Sequence, residues 1–520
     1  MSRSEERLWQ RAESYIAQGQ ATAARITLES LVQRVPDHVL AHLKLGALAY
    51  AEDRYRDCAR HTLDAAAHLP HDADAICQVA LTLLQVGEIV AARQCLDHPA
   101  VAVCRSGPTL VRLAGARQMI GEHAEALRLL DRARDAGHDS ADFRYIRAIQ
   151  LLFTGDMAGV EKELDACLRM GTTFGRASVT LARLHKQTPQ SNHIESIRAQ
   201  LARIARGTED HAAFEFALYK EYEDLGNYEE AWAALARGNA IMSAKLAFKE
   251  ERERKLTETL IALATPEFLQ GSSRSESAPD GPQPIFIVGM PRSGTTVLDR
   301  ILGGHSQVEP AGELGDFARA MRWGADHKTI LAVDETILER APRLDYAAIG
   351  RRYLAQTQWR ANGKARYVDK LPVNWIQAGF IRRALPHARI LHMVRDPMDV
   401  CFSNFRAFFG VGYAYSYSFR SLAAHYRNYH DTLAHWHRAM PGQILDVSYD
   451  ALADDPQGQA RRLLEFCGLD YEPGCVAIEN NKKPVATLSS IQIHEGIRKR
   501  TAEWRPYERQ LAPLRALLDL

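Results

Sequence analysis

A 34-residue period governs the first half of the chain. Gly19, Asp53, Gly87, Gly121 and Gly155 stand 34 positions apart, four times in succession. Five residues after each comes a mostly small residue: Ala24, Cys58, Ala92, Ala126 and Val160. Pro36 and Pro70 keep the same spacing, and the apolar residues between these marks recur at helical intervals, as in Leu43, Ala47 and Tyr50. Such a period describes stacked pairs of antiparallel helices. The first position serves a tight turn, and the small residue lets the paired helices approach closely. The register is lost around Thr188 and Pro189 and returns in the Gly-Asn-Tyr-Glu-Glu-Ala run that ends at Ala231.

The spacing resembles that of tetratricopeptide repeats, with five clear repeats and one or two degenerate ones. The resemblance implies an all-α solenoid over residues 1–270, whose concave groove takes a peptide or partner protein. A rigid spacer or a platform for the following domain is the alternative. Residues 271–283 are rich in Ser, Gly and Pro with little to bury, and read as a linker. The remainder, 284–520, forms a second domain.

Composition excludes several classes. The 65 Lys and Arg balance 64 Asp and Glu to a net charge of +1, which argues against a nucleic-acid binder. No apolar run is long enough to span a bilayer, and the first residues lack a secretory pattern, so a cytoplasmic location is expected. Eight scattered cysteines form no CxxC pair and read as buried thiols.

The second domain opens on an apolar run, 284–288, that reads as a buried strand. It is followed by Gly289-Met-Pro-Arg-Ser-Gly-Thr-Thr296 and then a helical stretch. Strand, glycine-bracketed turn and helix aim backbone N–H groups and a positive helix end at an anion. The nucleotide loop GxxxxGK[ST] would place Lys where Thr295 stands; here the fixed cation is Arg292, inside the loop. A second apolar run, 388–394, leads into Arg395-Asp-Pro, with Ser403 eight residues after Arg395. A guanidinium and a hydroxyl can together grip a phosphate, and Asp396 can cap the following helix. A third run, from Ile444, ends in Ser-Tyr449-Asp-Ala-Leu before another helix.

In this order the motifs resemble those of sulfotransferases, and the loop wording is close to that of tyrosylprotein sulfotransferases and bacterial relatives carrying tetratricopeptide repeats. The resemblance covers about residues 284–510. It implies an α/β P-loop-like fold with a central parallel sheet, and a sulfuryl donor, 3′-phosphoadenosine 5′-phosphosulfate (PAPS), with no metal. The implied donor contacts are Arg292, Ser293, Gly294, Thr295 and Thr296 in the loop, Arg395 and Ser403 at the 3′-phosphate, Tyr449 near the nucleotide, and Ser489 or its neighbour Ser490. The resemblance also implies Glu313, in Ala-Gly-Glu-Leu, as general base and Lys370, in Val-Asp-Lys-Leu-Pro, at the leaving oxygen, beside the sulfonate-holding Arg292. His305 is a rival base. One departure stands out: the family has lysine before a tryptophan, whereas Glu503 precedes Trp504 here. The missing basic contact is sought in Arg498, Lys499 or Arg500.

These features imply transfer of a sulfuryl group to a hydroxyl of a protein tyrosine, peptide, glycan or small molecule. An ATP-dependent kinase and a non-catalytic repeat scaffold are the alternatives. His425, His430, His435 and His437 read as a polar helix face. The aromatic run from Phe402 to Phe419 reads equally as a lid or as packing.

Overall fold

The computed structural model describes residues 2–170, 174–270, 280–480, 497 and 502–519. Most of the expected linker, 271–279, lies outside them, as do Ser489, Ser490 and the basic triplet 498–500. The chain forms two compact units: residues 1–138 with 315–359, and residues 139–314 with 360–520.

In the first unit, four helix pairs follow the period: Arg3–Ala17 with Ala21–Arg34, Val39–Ala51 with Tyr55–Ala66, Ala73–Val86 with Ile89–Leu96, and Gly107–Met119 with His123–Asp135. The periodic turn residues are left-handed, from φ 60° at Asp53 to 83° at Gly121, a region open to glycine and tolerated by aspartate. Asp53 also uses its carboxylate: it takes the backbone N–H of Lys328 at 2.7 Å and pairs with His327 at 2.8 Å. The small residues Ala24, Cys58, Ala92 and Ala126 are buried at the helix crossings. Residues 315–359 contribute the helices Asp316–Ala325, Glu335–Arg340 and Tyr346–Thr357. Trp323 packs on the cluster of Ala49, Tyr55, Cys58, Ala59 and Val86, and Arg352 pairs with Glu88 at 2.8 Å.

The second unit begins with the fifth periodic pair, Ala141–Thr154 and Met157–Met170, turning at Gly155 (φ 88°). Where the register is lost, the helix Gly175–Leu184 ends and a short bridge joins Thr188 to Ser191. Glu209–Asp224 and Tyr228–Leu246 restore the pattern, with Gly226 left-handed and Ala231 buried.

The same unit holds a five-stranded sheet: β1 (Gln283–Gly289), β2 (Val308–Pro310), β3 (Arg366–Lys370), β4 (Arg389–Val394) and β5 (Ile444–Ser448). Their order is β2-β3-β1-β4-β5 and every pairing is parallel. Each β1 residue is buried, as expected of a central parallel strand covered on both faces. The chain leaves β1 for β2 and β3 on one side, then crosses to β4 and β5 on the other. The carboxyl end of β1 is thus a topological switch point, where open α/β sheets place ligands.

The aromatic run after β4 is packing. Phe405 stacks on Trp232, Phe419 tilts against both, and Phe408 and Tyr417 meet Phe216, so the last periodic helices share a core with the segment after β4. Among the described residues, no helix is long and apolar enough to cross a membrane.

Candidate active site at the carboxyl edge of the sheet

The strand register brings the candidate residues to one edge. Gly289 of β1 pairs with Met393 of β4, and Ile287 pairs with Lys370, the last residue of β3. The phosphate-loop candidate, Lys370, Arg395 and Tyr449 thus all emerge at the carboxyl ends of adjacent strands.

Residues 290–294 form a tight turn in which the Ser293 N–H donates to the Met290 carbonyl at 3.2 Å. Gly294 is the N-cap of the helix Thr295–Gly303 and has φ 108°. A Cβ there would lie 2.5 Å from the Tyr449 ring, so only glycine fits both the backbone and the space. Arg292 takes φ 69°, an uncommon choice for a non-glycine residue and of order 1–3 kcal/mol in strain. Two side chains hold this strained turn. Asn404 donates to the Pro291 carbonyl at 2.7 Å, and Arg395 donates to the Arg292 carbonyl at 3.2 Å. Arg395 also lies 4.8 Å from the centroid of the Tyr449 ring, a cation–π contact. Loop, Arg395 and Tyr449 therefore form one constellation. Asn404 is a positioning residue that sequence reasoning missed; it sits next to Ser403, but no motif marked it.

The loop suits an anion. Thr295 and Thr296 occupy the first turn of the helix and are buried, as is Ser293, whose Oγ has no hydrogen-bond partner among the described residues. Burial, followed by the charges of Arg183, Arg406 and Arg395, pulls the Arg292 guanidinium well below its ordinary value. A cluster of like charges around a buried guanidinium is relieved by a bound anion.

Glu313 and Lys370 form the second constellation. Beyond β2 the chain stays on β3: the Ala311 N–H donates to the Val368 carbonyl and the Lys370 N–H to the Gly312 carbonyl. This carries Glu313 alongside the end of β3, where Lys370 Nζ donates to its Oε1 at 2.5 Å. The lysine is 1 % exposed and the glutamate 38 %, so one partner faces the interior and the other faces solvent. Tyr413 stands near this pair; burial, and then the Glu313 charge, push its phenol up. Tyr413 belongs to the aromatic run, and its ring packs on Phe409 and Tyr415.

His305 is placed otherwise. It follows the far end of the helix Thr295–Gly303, about 13 Å along the axis from the loop. Its ring nitrogens meet the Asp470 carbonyl at 2.9 Å and the Gln307 N–H at 3.1 Å, a structural role. Asp396 does cap its helix, accepting from the Asp399 N–H at 3.0 Å. The four histidines do not form one polar face: His425 is buried against Glu253, His435 meets the Ala264 carbonyl, and His437 meets Asp446.

Ser403 and Arg292 line a cavity of about 760 Å³. Arg183, Lys220, Glu223, Arg406 and Glu503 line it as well. Glu313 and Lys370 are not among its lining residues.

Residues 284–473 match the model of the Sulfotransferase family. A sulfotransferase-family domain occupies this stretch. The loop after β1 and, apart from Gln283, all five strands of the second unit's sheet fall within the matched residues. An uncharacterized protein of Aquifex aeolicus (strain VF5) is 31 % identical over 320 residues, covering 58 % of this chain and 41 % of that protein. A Caenorhabditis briggsae protein described as "Putative protein-tyrosine sulfotransferase" is 27 % identical over 190 residues, covering 36 % of this chain and 66 % of that one. The chain spans less than two thirds of the length of either relative. Among solved structures, the sulfotransferase domain from the Synechococcus PCC 7002 olefin synthase matches with a TM-score of 0.28 and 20 % identity, over 46 % of this chain and 98 % of that one.

Proposed function

We propose that the chain is a PAPS-dependent sulfotransferase that acts on a hydroxyl acceptor. The observation that carries this reading is the meeting, at one sheet edge, of an anion loop with crowded arginines and a separate carboxylate–ammonium pair. The donor supplies an activated sulfuryl group. Arg292, Ser293, Gly294, Thr295 and Thr296 hold its sulfated end, Arg395 and Ser403 its 3′-phosphate, and Tyr449 lies near the nucleotide. The orphaned Ser293 hydroxyl and the charge-crowded Arg292 are the features of this loop that fit such a ligand.

Glu313 takes the acceptor proton. Its carboxylate is half-exposed, so an acceptor can reach it from solvent, and the hydrogen bond from Lys370 fixes its orientation. The acceptor oxygen bonds to sulfur as the bond from sulfur to the bridging oxygen breaks. Lys370 stabilises the charge left on that oxygen, and its buried setting strengthens the effect. Placement and fixed cations do this work, as in phosphoryl transfer.

The acceptor is a hydroxyl-bearing protein, peptide, glycan or small molecule. A tyrosine draws support from the C. briggsae relative's description. Calorimetric titration of 3′-phosphoadenosine 5′-phosphate into the full chain tests the donor assignment: saturable one-site binding is expected, and its absence refutes it.

A further inference from the structure

The sulfotransferase resemblance leaves one contact unfilled, because Glu503 stands where the family has lysine. Glu503 does not vacate the position. Its carboxylate pairs with Arg406, which lies 3.6 Å from Glu223 on its other side. Glu223 is fixed in turn by the Tyr219 hydroxyl at 2.5 Å and the Tyr507 hydroxyl at 3.3 Å. Burial disfavours the Arg406 charge, but Tyr219, Glu223 and Glu503 outweigh it. Arg406 is one helical turn beyond Ser403, so both project from one side of the same segment into the cavity.

A further cation comes from a different part of the chain. Arg183 is the penultimate residue of the helix Gly175–Leu184 and lines the same cavity. Unlike Arg406, it has no ion pair or hydrogen bond among the described residues. Burial, and then the Arg406 charge, pull its guanidinium down. With Lys186 and Lys220, five cations line the cavity against the carboxylates of Glu223, Asp224 and Glu503. Its volume of about 760 Å³ lies within the range of sites that enclose a nucleotide-sized ligand. An unpaired guanidinium that shares a cavity with a serine hydroxyl and a second arginine supplies the groups that grip a phosphate dianion.

We propose that Arg183, carried by a helix outside the sulfotransferase domain, supplies the basic contact to the donor's 3′-phosphate in place of the lysine replaced by Glu503, with Arg406 held by Glu503 and Glu223 as its neighbour. The proposal rests on the PAPS reading above. It makes the helical region part of the donor site, so that the sulfotransferase domain alone lacks a phosphate contact.

Calorimetry on the full chain with two probes tests it: 3′-phosphoadenosine 5′-phosphate, which carries the 3′-phosphate, and adenosine 5′-monophosphate, which lacks it. Wild type should prefer the first. Arg183→Gln should weaken it about tenfold to hundredfold, the range of a lost charge-assisted hydrogen bond, and leave the monophosphate within about twofold. Arg183→Lys should lose less, retaining charge without the fork, and is read alone if the Gln variant does not fold. An unchanged preference in a folded Arg183 variant overturns the proposal and leaves the PAPS reading standing. Failure of wild type to prefer the 3′-phosphorylated probe overturns that reading, and the Arg183 assignment with it.

Discussion

Lys370 and Glu313 respond oppositely to removal, because burial divides their ion pair unevenly. Lys370 is 1 % exposed and its ammonium has Glu313 as its ion-pair partner at 2.5 Å. Removing one member of a fully buried pair destabilises by about 3–5 kcal/mol, since the other charge is stranded. Glu313 is 38 % exposed, and solvent already screens part of the attraction. Glu313→Gln should therefore destabilise by about 1–2 kcal/mol, a Tm drop of about 2–8 °C for a domain of this size. Lys370→Met strands nothing. The desolvated ammonium is replaced by an apolar chain of similar length, and Glu313 turns to water. Its stability should lie within about 1 kcal/mol of wild type, or above it. Both variants should lose sulfuryl transfer by about hundredfold or more. Thermal unfolding and transfer of radiolabelled sulfate from PAPS, measured on the same preparations, check this. A Lys370→Met protein that melts as low as Glu313→Gln while retaining activity would refute both the uneven burial and the catalytic role.

Three further outcomes test other parts of the account. Gly294→Ala should destabilise by about 2–4 kcal/mol and abolish binding of 3′-phosphoadenosine 5′-phosphate, because its Cβ meets Tyr449 as well as a positive φ; Gly121→Ala, with the same backbone demand and open space, should cost only about 1–2 kcal/mol by thermal melt. Ala126→Leu, at a buried helix crossing, should destabilise the first unit by about 1–3 kcal/mol without altering nucleotide affinity in calorimetry. Burial alone would lower the pKa of His327, but Asp53 and Asp334 raise it overall. The stabilisation it contributes is full below the unfolded value of about 6.5 and fades as pH rises through the higher folded value. Thermal melts across that window should show the loss in wild type and not in His327→Gln.

Much of the fold was legible because it repeats. One period specified where the chain reverses and where helices touch, and all its turn positions are left-handed in the structure, Asp53 included. β1 and β4 were legible because inner parallel strands buried on both faces read as near-continuous apolar runs, whereas the edge strand β5 was legible from its Ser-Tyr-Asp-Ala-Leu ending. The loop, Lys370, Arg395 and Tyr449 came from local motifs, and the sheet brings them to one edge. What stayed hidden depends on tertiary meetings without local signature. Arg183 lies 223 residues from Arg406, in the stretch where the period fails, and no spacing rule joins them. Asn404 resembles any polar helix residue until its amide reaches the Pro291 carbonyl. Glu503 looked like a lost contact, and its partner Arg406 could not be read from its neighbours in sequence.

The central claim is transfer chemistry, and one measurement addresses it most directly. Wild type and Glu313→Gln are incubated with radiolabelled PAPS and cell extract, and the products are resolved into protein and small-molecule fractions. Label should enter one fraction with wild type and be reduced at least about hundredfold with the variant. Equal labelling by both proteins, or none with wild type, would contradict it.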